Sequence, residues 1–179
     1  HHHKLSETGM PSLPDFLKTF ETVNTRLWTL YDIGQIHRDV IRYDRFHKIM
    51  LEMGVDNYEL SLTLSNDYVD RSPKKGALMP NAIEVLDYLQ SKYPMTIVTN
   101  GFDEIQSVKM ASSGITSYFK SVVTSARAGH KKPSKEIFEF ALAESGFTAA
   151  ETIMIGDNLL TDIGGARNAS LDTVYFNPN

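Results

Sequence analysis

Three short segments of the sequence contain residues whose types suit phosphate chemistry. The first is Thr99-Asn100-Gly101, which follows a β-branched run and supplies a hydroxyl and backbone N–H groups. Hydroxyl and consecutive N–H groups at the end of a strand can bind phosphate oxygens. Taken alone the segment is weak evidence, because an Asn-Gly pair more often marks an ordinary turn.

The second segment is Lys131-Lys132-Pro133, which precedes a predicted helix. The residue before a proline is held extended, so Lys132 is the better candidate of the two lysines. Its ammonium can act as a point charge on a phosphoryl group. The alternative is a solvent-exposed basic loop, which is the commoner situation for an isolated pair of lysines.

The third segment is an apolar run that ends in Gly156-Asp157, with Asp162 about one helical turn later. Two carboxylates placed in this way suit a hard cation, and Mg²⁺ prefers oxygen ligands and usually keeps several waters. The alternative for Asp157 is the N-cap of the following helix, a common position for aspartate.

The surrounding pattern predicts the elements that must position these segments. After Met79 short apolar runs alternate with helical patterns, and strands are predicted over 95–99, 121–124, 152–155 and 173–176. Helices are predicted over about 103–112, 135–144 and 161–168. Such alternation indicates a parallel sheet with helices on both faces, in which ligands bind beyond the carboxyl ends of the strands. From about Pro14 to Val69 the sequence has helical spacing only.

In this order, the three segments resemble the motifs of the haloacid dehalogenase (HAD) superfamily. The sequence around them resembles the pyrimidine 5′-nucleotidase-like branch of that superfamily. The resemblance covers about residues 14–177. It implies an α/β fold, a HAD-like Rossmannoid parallel sheet with an all-helical cap domain that closes over the active site. We therefore expect a tag and linker over residues 1–9, an incomplete helical cap over 10–77 and an incomplete Rossmann-like core over 78–179.

The same resemblance implies a role for each candidate residue. Thr99 would bind the phosphoryl group, and Asn100 would assist through its backbone N–H. Lys132 would neutralise charge on the phosphoryl oxygens, and together with Asp157 it is a candidate catalytic residue. Asp157 would bind Mg²⁺ directly. Asp162 would be the second residue of the metal site, either through a bound water or by contacting the residues that hold the metal. The expected substrate is a small phosphorylated molecule such as a nucleoside monophosphate.

One motif of this family does not occur in the 179 residues. In the family, an Asp-x-Asp segment ends a strand that lies between those ending at Thr99 and Asp157. Its first aspartate attacks phosphorus and its second is the general acid and base. We therefore expect a sheet that lacks its first strand, a weakened Mg²⁺ site, and a truncated phosphatase that is inactive or depends on complementation. Exposed sheet edges would favour a homo-oligomer.

Two other functions stay open at this point. One is an active hydrolase with a rearranged metal site built on Asp157 and Asp162. The other is a non-catalytic binding or assembly protein that uses its helical part. A net charge of −4 and a pI near 5.8, without a basic cluster, argue against a nucleic-acid partner. No apolar run approaches the roughly 20 residues of a membrane helix. The absence of cysteine fits a cytoplasmic location.

Overall fold

The structure is a computed structural model that describes residues 12–177. The expected tag and linker over residues 1–9 lie outside the described residues. The chain divides into two compact units on either side of the Ser72–Pro73 bond. The predicted boundary between residues 77 and 78 stays a prediction. Each unit is described in turn.

Among the described residues of the first unit, every regular element is a helix. The unit contains α1 (Leu13–Asp32), a π-helical turn (Val40–Asp44), α2 (Arg45–Glu52) and α3 (Tyr58–Arg71). Side chains cap the first turns of two of its helices: Ser12 accepts from the backbone N–H of Asp15 at α1, and Asn57 accepts from that of Leu60 at α3. Its buried hydrophobic residues recur at helical spacing: Val23, Leu27, Tyr31, Ile41, Phe46, Ile49 and Met50.

The second unit alternates strands with helices. In chain order it contains α4 (Ala82–Gln90), β1 (Thr96–Thr99), α5 (Asp103–Ser112), β2 (Ser121–Thr124), α6 (Ser125–Ala128), α7 (Lys135–Ser145), β3 (Ile153–Gly156), a π-helical turn (Leu159–Gly164), α8 (Gly165–Asn168) and β4 (Asp172–Tyr175). Short 3-10 turns cover Ser72–Lys74, Thr116–Tyr118 and Ala149–Glu151. All four predicted strands are confirmed, with ends that shift by one residue at most.

The four strands form two parallel pairs. β1 pairs with β2 from Thr96 opposite Ser121 to Thr99 opposite Thr124. β3 pairs with β4 from Ile153 opposite Asp172 to Gly156 opposite Tyr175. Within residues 12–177 these are two separate two-stranded sheets, because β1 and β3 form no ladder with each other. This agrees with the parallel α/β fold predicted without its first strand.

One hydrophobic cluster connects the two strand pairs. Its buried members come from β2, α7, α8 and the segment before β4: Val123, Ile137, Phe138, Ala141, Ala166 and Leu171. Val98 of β1 and Met154 of β3 pack against this cluster. Both pairs are therefore held by the same core, which fixes the ends of β1 and β3 within one unit. None of the helices in the described region is long and apolar enough to cross a membrane.

Candidate functional site

The end of β1 forms a tight turn around the hydroxyl of Thr99. Thr99 Oγ1 accepts a hydrogen bond from the backbone N–H of Gly101 at 3.0 Å. A Cβ atom at Gly101 would lie 2.0 Å from Nε2 of Gln106 and 3.1 Å from Thr99 Oγ1, so only glycine fits without displacing these groups. Since the hydroxyl accepts here, its own proton stays free to point to an incoming oxygen.

The side chain of Asn100 holds the loop that contains Lys132. Asn100 is only 8% exposed. Its Nδ2 donates to the backbone carbonyl of Lys132 at 2.9 Å, and its Oδ1 accepts from the backbone N–H of Lys132 at 2.8 Å. The family resemblance implies a role for the backbone N–H of Asn100 only. This side-chain contact could not be predicted, because nothing in the local pattern connects two residues 32 positions apart.

Lys132 points inward and forms a buried ion pair with Asp162. Its Nζ lies 2.6 Å from Asp162 Oδ1, and the two side chains are 11% and 7% exposed. The alternative interpretation of Lys132 as part of a solvent-exposed basic loop is therefore wrong. An ammonium has three donor hydrogens, so the bond to Asp162 leaves two that can reach phosphoryl oxygens.

The carboxylate of Asp162 is held on several sides. Its Oδ2 accepts from the backbone N–H of Asn158 at 3.2 Å, and its Oδ1 lies 3.3 Å from the hydroxyl of Thr161. A Cβ at Gly156 would lie 2.5 Å from Asp162 Oδ2, so the end of β3 must be glycine for the carboxylate to lie there. Asp162 belongs to a π-helical turn, a local geometry that often occurs at functional sites.

Asp157 follows β3 directly and faces solvent. Within the described residues no hydrogen bond or ion pair engages its carboxylate. The interpretation of Asp157 as a helix N-cap is wrong, because Asn158 has that role and accepts from the backbone N–H groups of Leu160 and Thr161 at 3.0 and 2.9 Å. The role of Asn158 was not predicted, although the sequence offers a signal for it, because asparagine caps helices about as well as aspartate does.

The donor set suits Mg²⁺ in part. Asp157 offers a free carboxylate, which fits a direct ligand, whereas Asp162 is bound to Lys132 and fits a contact through water. Among the side chains of residues 12–177, no group of three or more His, Cys, Asp or Glu is arranged to hold a metal ion. Waters or further oxygen ligands would have to complete the coordination.

The structure thus joins residues from all three sequence segments. Asn100 of the first segment binds the backbone of Lys132 of the second, and Lys132 binds Asp162 of the third. Thr99 precedes Asn100 at the end of β1, and Asp157 follows the end of β3. Buried donors and an available carboxylate at strand ends are an arrangement that can bind an anion beside a cation.

Comparison with known proteins places these residues in a sequence context. Residues 33–176 match the family of haloacid dehalogenase-like hydrolases. The chain is 31% identical to the HAD-hydrolase YfnB of Bacillus subtilis over 175 residues, which are 97% of this chain and 73% of that protein. It is 28% identical to the pyrimidine 5′-nucleotidase PynA of Streptococcus pneumoniae, over 98% of this chain and 74% of PynA.

Solved structures of HAD-fold proteins also match this chain. A crystal structure of YfnB from Bacillus subtilis bound to magnesium matches with a TM-score of 0.87 at 30% identity, covering 97% of this chain and 78% of that one. An L-2-haloacid dehalogenase from Xanthobacter autotrophicus matches with a TM-score of 0.71 at 19% identity, over 89% of this chain and 64% of that one. The second match supports the fold alone.

Proposed function

Because the chain belongs to the haloacid dehalogenase-like hydrolase family, we propose that its second unit binds the phosphoryl group of a small phosphomonoester such as a nucleoside monophosphate. The observation that carries this proposal is the connection from Asn100, at the end of β1, through Lys132 to Asp162, in the π-helical turn after β3. Relatives named as pyrimidine 5′-nucleotidases and as phosphatases of small sugar or triose phosphates support the substrate class.

Each residue has a separate task in this proposal. The Thr99 hydroxyl and the backbone N–H of Asn100 donate to phosphoryl oxygens, and the Lys132 ammonium offsets their negative charge. Asp157 would hold Mg²⁺, and Asp162 would orient Lys132 and contact the metal through water. When bound, Mg²⁺ would neutralise charge on the phosphoryl group. The absence of cysteine fits action in a reducing compartment such as the cytoplasm.

A site that binds phosphate does not by itself hydrolyse phosphomonoesters. The family resemblance assigns nucleophile and acid/base to an Asp-x-Asp motif, and the 179 residues contain none. Without a nucleophile, the covalent route through an aspartyl-phosphate is closed. We therefore propose that these 179 residues bind phosphate but hydrolyse phosphomonoesters only when a segment with this motif is supplied. The Mg²⁺ affinity is expected to be weak for the same reason.

The test combines a binding and a turnover measurement. Inorganic phosphate is titrated into the protein by calorimetry with Mg²⁺ present, and phosphate release is measured from p-nitrophenyl phosphate and from a nucleoside monophosphate. We expect binding without release, and release once a peptide with an Asp-x-Asp strand is added. Asp157→Asn should weaken Mg²⁺-dependent binding, whereas Asp172→Asn, an exposed aspartate at the start of β4, is the matched control.

Two outcomes would change this proposal. Release by the 179 residues alone, abolished by Asp157→Asn, would support the active hydrolase with a rearranged metal site. If phosphate does not bind and the peptide restores nothing, the phosphate-binding function is wrong, and a non-catalytic binding or assembly protein becomes the better hypothesis.

We also propose that two copies of the chain associate through their strands. Within residues 12–177, β1 pairs only with β2 and β3 only with β4, so each has one strand edge without a ladder partner. Ile153 and Ile155 of β3 are 59% and 54% exposed. Open edges beside exposed apolar residues favour strand pairing between chains. Light scattering should show a mass that rises with concentration and falls in Ile155→Lys, and a monomer at all concentrations would contradict this.

A further inference from the structure

We propose that the side chain of Asn100 is a positioning residue that acts through Lys132 and does not itself contact the phosphoryl group. This inference rests on the proposed function and assigns the Asn100 carboxamide a task different from that of its backbone N–H. The buried carboxamide is bound at both ends by one residue, because Nδ2 donates to the carbonyl of Lys132 and Oδ1 accepts from its N–H. Both contacts are direct, at 2.9 and 2.8 Å.

The chemistry of these contacts requires a carboxamide. Binding a backbone carbonyl and a backbone N–H at once takes a donor and an acceptor side by side in one plane, which only Asn and Gln provide. Aspartate has the same shape but would place a second acceptor against the Lys132 carbonyl. Serine has one short hydroxyl and cannot span both groups. A change at residue 100 therefore alters the placement of the Lys132 backbone without touching its side chain.

The position of the Lys132 backbone decides where its ammonium lies. Lys132 Nζ lies 2.6 Å from the buried carboxylate of Asp162. This contact requires that the backbone of Lys132, from which the side chain extends, is held in place. Lys132 lies in the segment between α6 and α7, outside any helix or strand. Asn100 ties this segment to the end of β1, beside Thr99. It thus sets the spacing between the hydroxyl and the ammonium that bind the same phosphoryl group in our proposal.

A double-mutant cycle tests this inference. Inorganic phosphate is titrated into wild type, Asn100→Ala, Lys132→Met and the double variant, with Asn168→Ala, an exposed asparagine of α8, as control. We expect Asn100→Ala to weaken phosphate binding by about tenfold or more, which is the scale of one charged hydrogen bond. In the Lys132→Met background, the same change should add less than about twofold, because its effect passes through Lys132.

A second readout does not depend on phosphate. The ¹³Cε resonance of Lys132 reports on the ion pair with Asp162, and Asn100→Asp should move it toward the values of exposed lysines. Asn168→Asp should leave it in place. If wild type binds no phosphate, the proposed function fails, and this resonance still decides the role of Asn100.

Two results would overturn the inference. One is an equal loss of phosphate affinity from Asn100→Ala with and without Lys132, which would show that Asn100 acts on phosphate independently of Lys132. The other is an unchanged Lys132 resonance in Asn100→Asp. Should Asn100→Ala fail to fold, Asn100→Asp and Asn100→Gln replace it in the cycle. Gln retains the carboxamide and is expected to recover part of the affinity that Asp loses.

Discussion

The first unit (the helical unit) and the second unit (the alternating unit) each bury a cationic side chain, but with different partners. In the alternating unit, Lys132 contacts the carboxylate of Asp162 at 2.6 Å. In the helical unit, Arg45 is 5% exposed and lies among aromatic rings, with its Cζ 4.4 Å from the ring centre of Tyr68 and 5.6 Å from that of Phe46. Its Nη1 donates to Asn24 at 2.9 Å, and its Nε has no partner within the described residues.

The difference follows from the two cations. A guanidinium is delocalised and weakly hydrated, so it can stack on aromatic faces, whereas an ammonium is a compact charge that needs a carboxylate when buried. Burial lowers the pKa of Arg45 below its ordinary value, because lost hydration disfavours the charged form; Tyr68 opposes this shift and the positive charge of Arg42 adds to it. We infer that Arg45 contributes to packing in its own unit, whereas in the proposed function Lys132 also binds a phosphoryl group.

The largest expected effect concerns the ion pair. Asp162→Ala leaves a buried ammonium without its carboxylate, which typically costs about 3–5 kcal/mol of unfolding free energy. The double variant Lys132→Met with Asp162→Leu removes both charges and should recover most of that loss. Urea unfolding of the three proteins measures this. Asp157→Ala, at an exposed carboxylate, is the control and should stay within about 0.5 kcal/mol of wild type.

Equal destabilisation by Asp162→Ala and Asp157→Ala would contradict this prediction. The Lys132–Asp162 ion pair would then contribute no more to stability than an exposed carboxylate does. The contrast with Arg45 would then have no energetic basis.

The next effect concerns Arg45. Arg45→Ala removes a buried side chain from an aromatic cluster and should lower the unfolding free energy by about 2–4 kcal/mol. Arg45→Met retains most of the apolar volume and should cost less than about 1.5 kcal/mol. Urea unfolding again measures both, with Arg26→Met as control for an arginine in an exposed ion pair with Glu52. If Arg45→Met is as damaging as Arg45→Ala, the positive charge is what the helical unit needs.

Local pattern was sufficient to predict most elements of the alternating unit. The strand predicted over 121–124 is β2 itself, and the helix predicted from Asp103 to about Ser112 is α5. β-branched runs and glycine at their ends act within a few residues, so the sequence carries that information directly. The candidate residues Thr99 and Asp157 follow from the same rule, since both lie where a strand ends.

Contacts made across the fold could not be predicted in this way. The partners of Lys132 are 30 and 32 positions away, and their geometry depends on how the ends of β1 and β3 pack on one core. The segment before α8 shows the same limit. A helix was predicted from Thr161 to Asn168, but a π-helical turn occupies Leu159–Gly164, where the Asp162 carboxylate lies against Gly156. Helical periodicity does not distinguish these two forms.

The smallest expected effect on stability concerns an exposed carboxylate, whose hydrogen bonds resemble those that Asp162 accepts. Glu151 Oε2 accepts from the Thr148 hydroxyl at 2.7 Å and from its backbone N–H at 3.0 Å, and these bonds lower the pKa of Glu151. Since the folded pKa lies below the unfolded one, the stabilisation is present above the unfolded pKa and is lost as pH falls through the folded pKa. Thr148→Ala should raise the pKa of Glu151 and reduce this pH dependence.

A titration followed by NMR measures the Glu151 pKa in Thr148→Ala and in Thr22→Ala, an exposed threonine of α1 whose hydroxyl donates to the Lys18 carbonyl and should have no influence on it. Urea midpoints at neutral and acid pH measure the effect on stability. Asp162 and Glu151 both accept a hydroxyl and a backbone N–H, so the clearest differences between them are burial and the ammonium of Lys132. If Thr148→Ala changes stability as much as Asp162→Ala does, hydrogen bonding alone explains both sites, and burial of the ion pair is not what distinguishes the alternating unit.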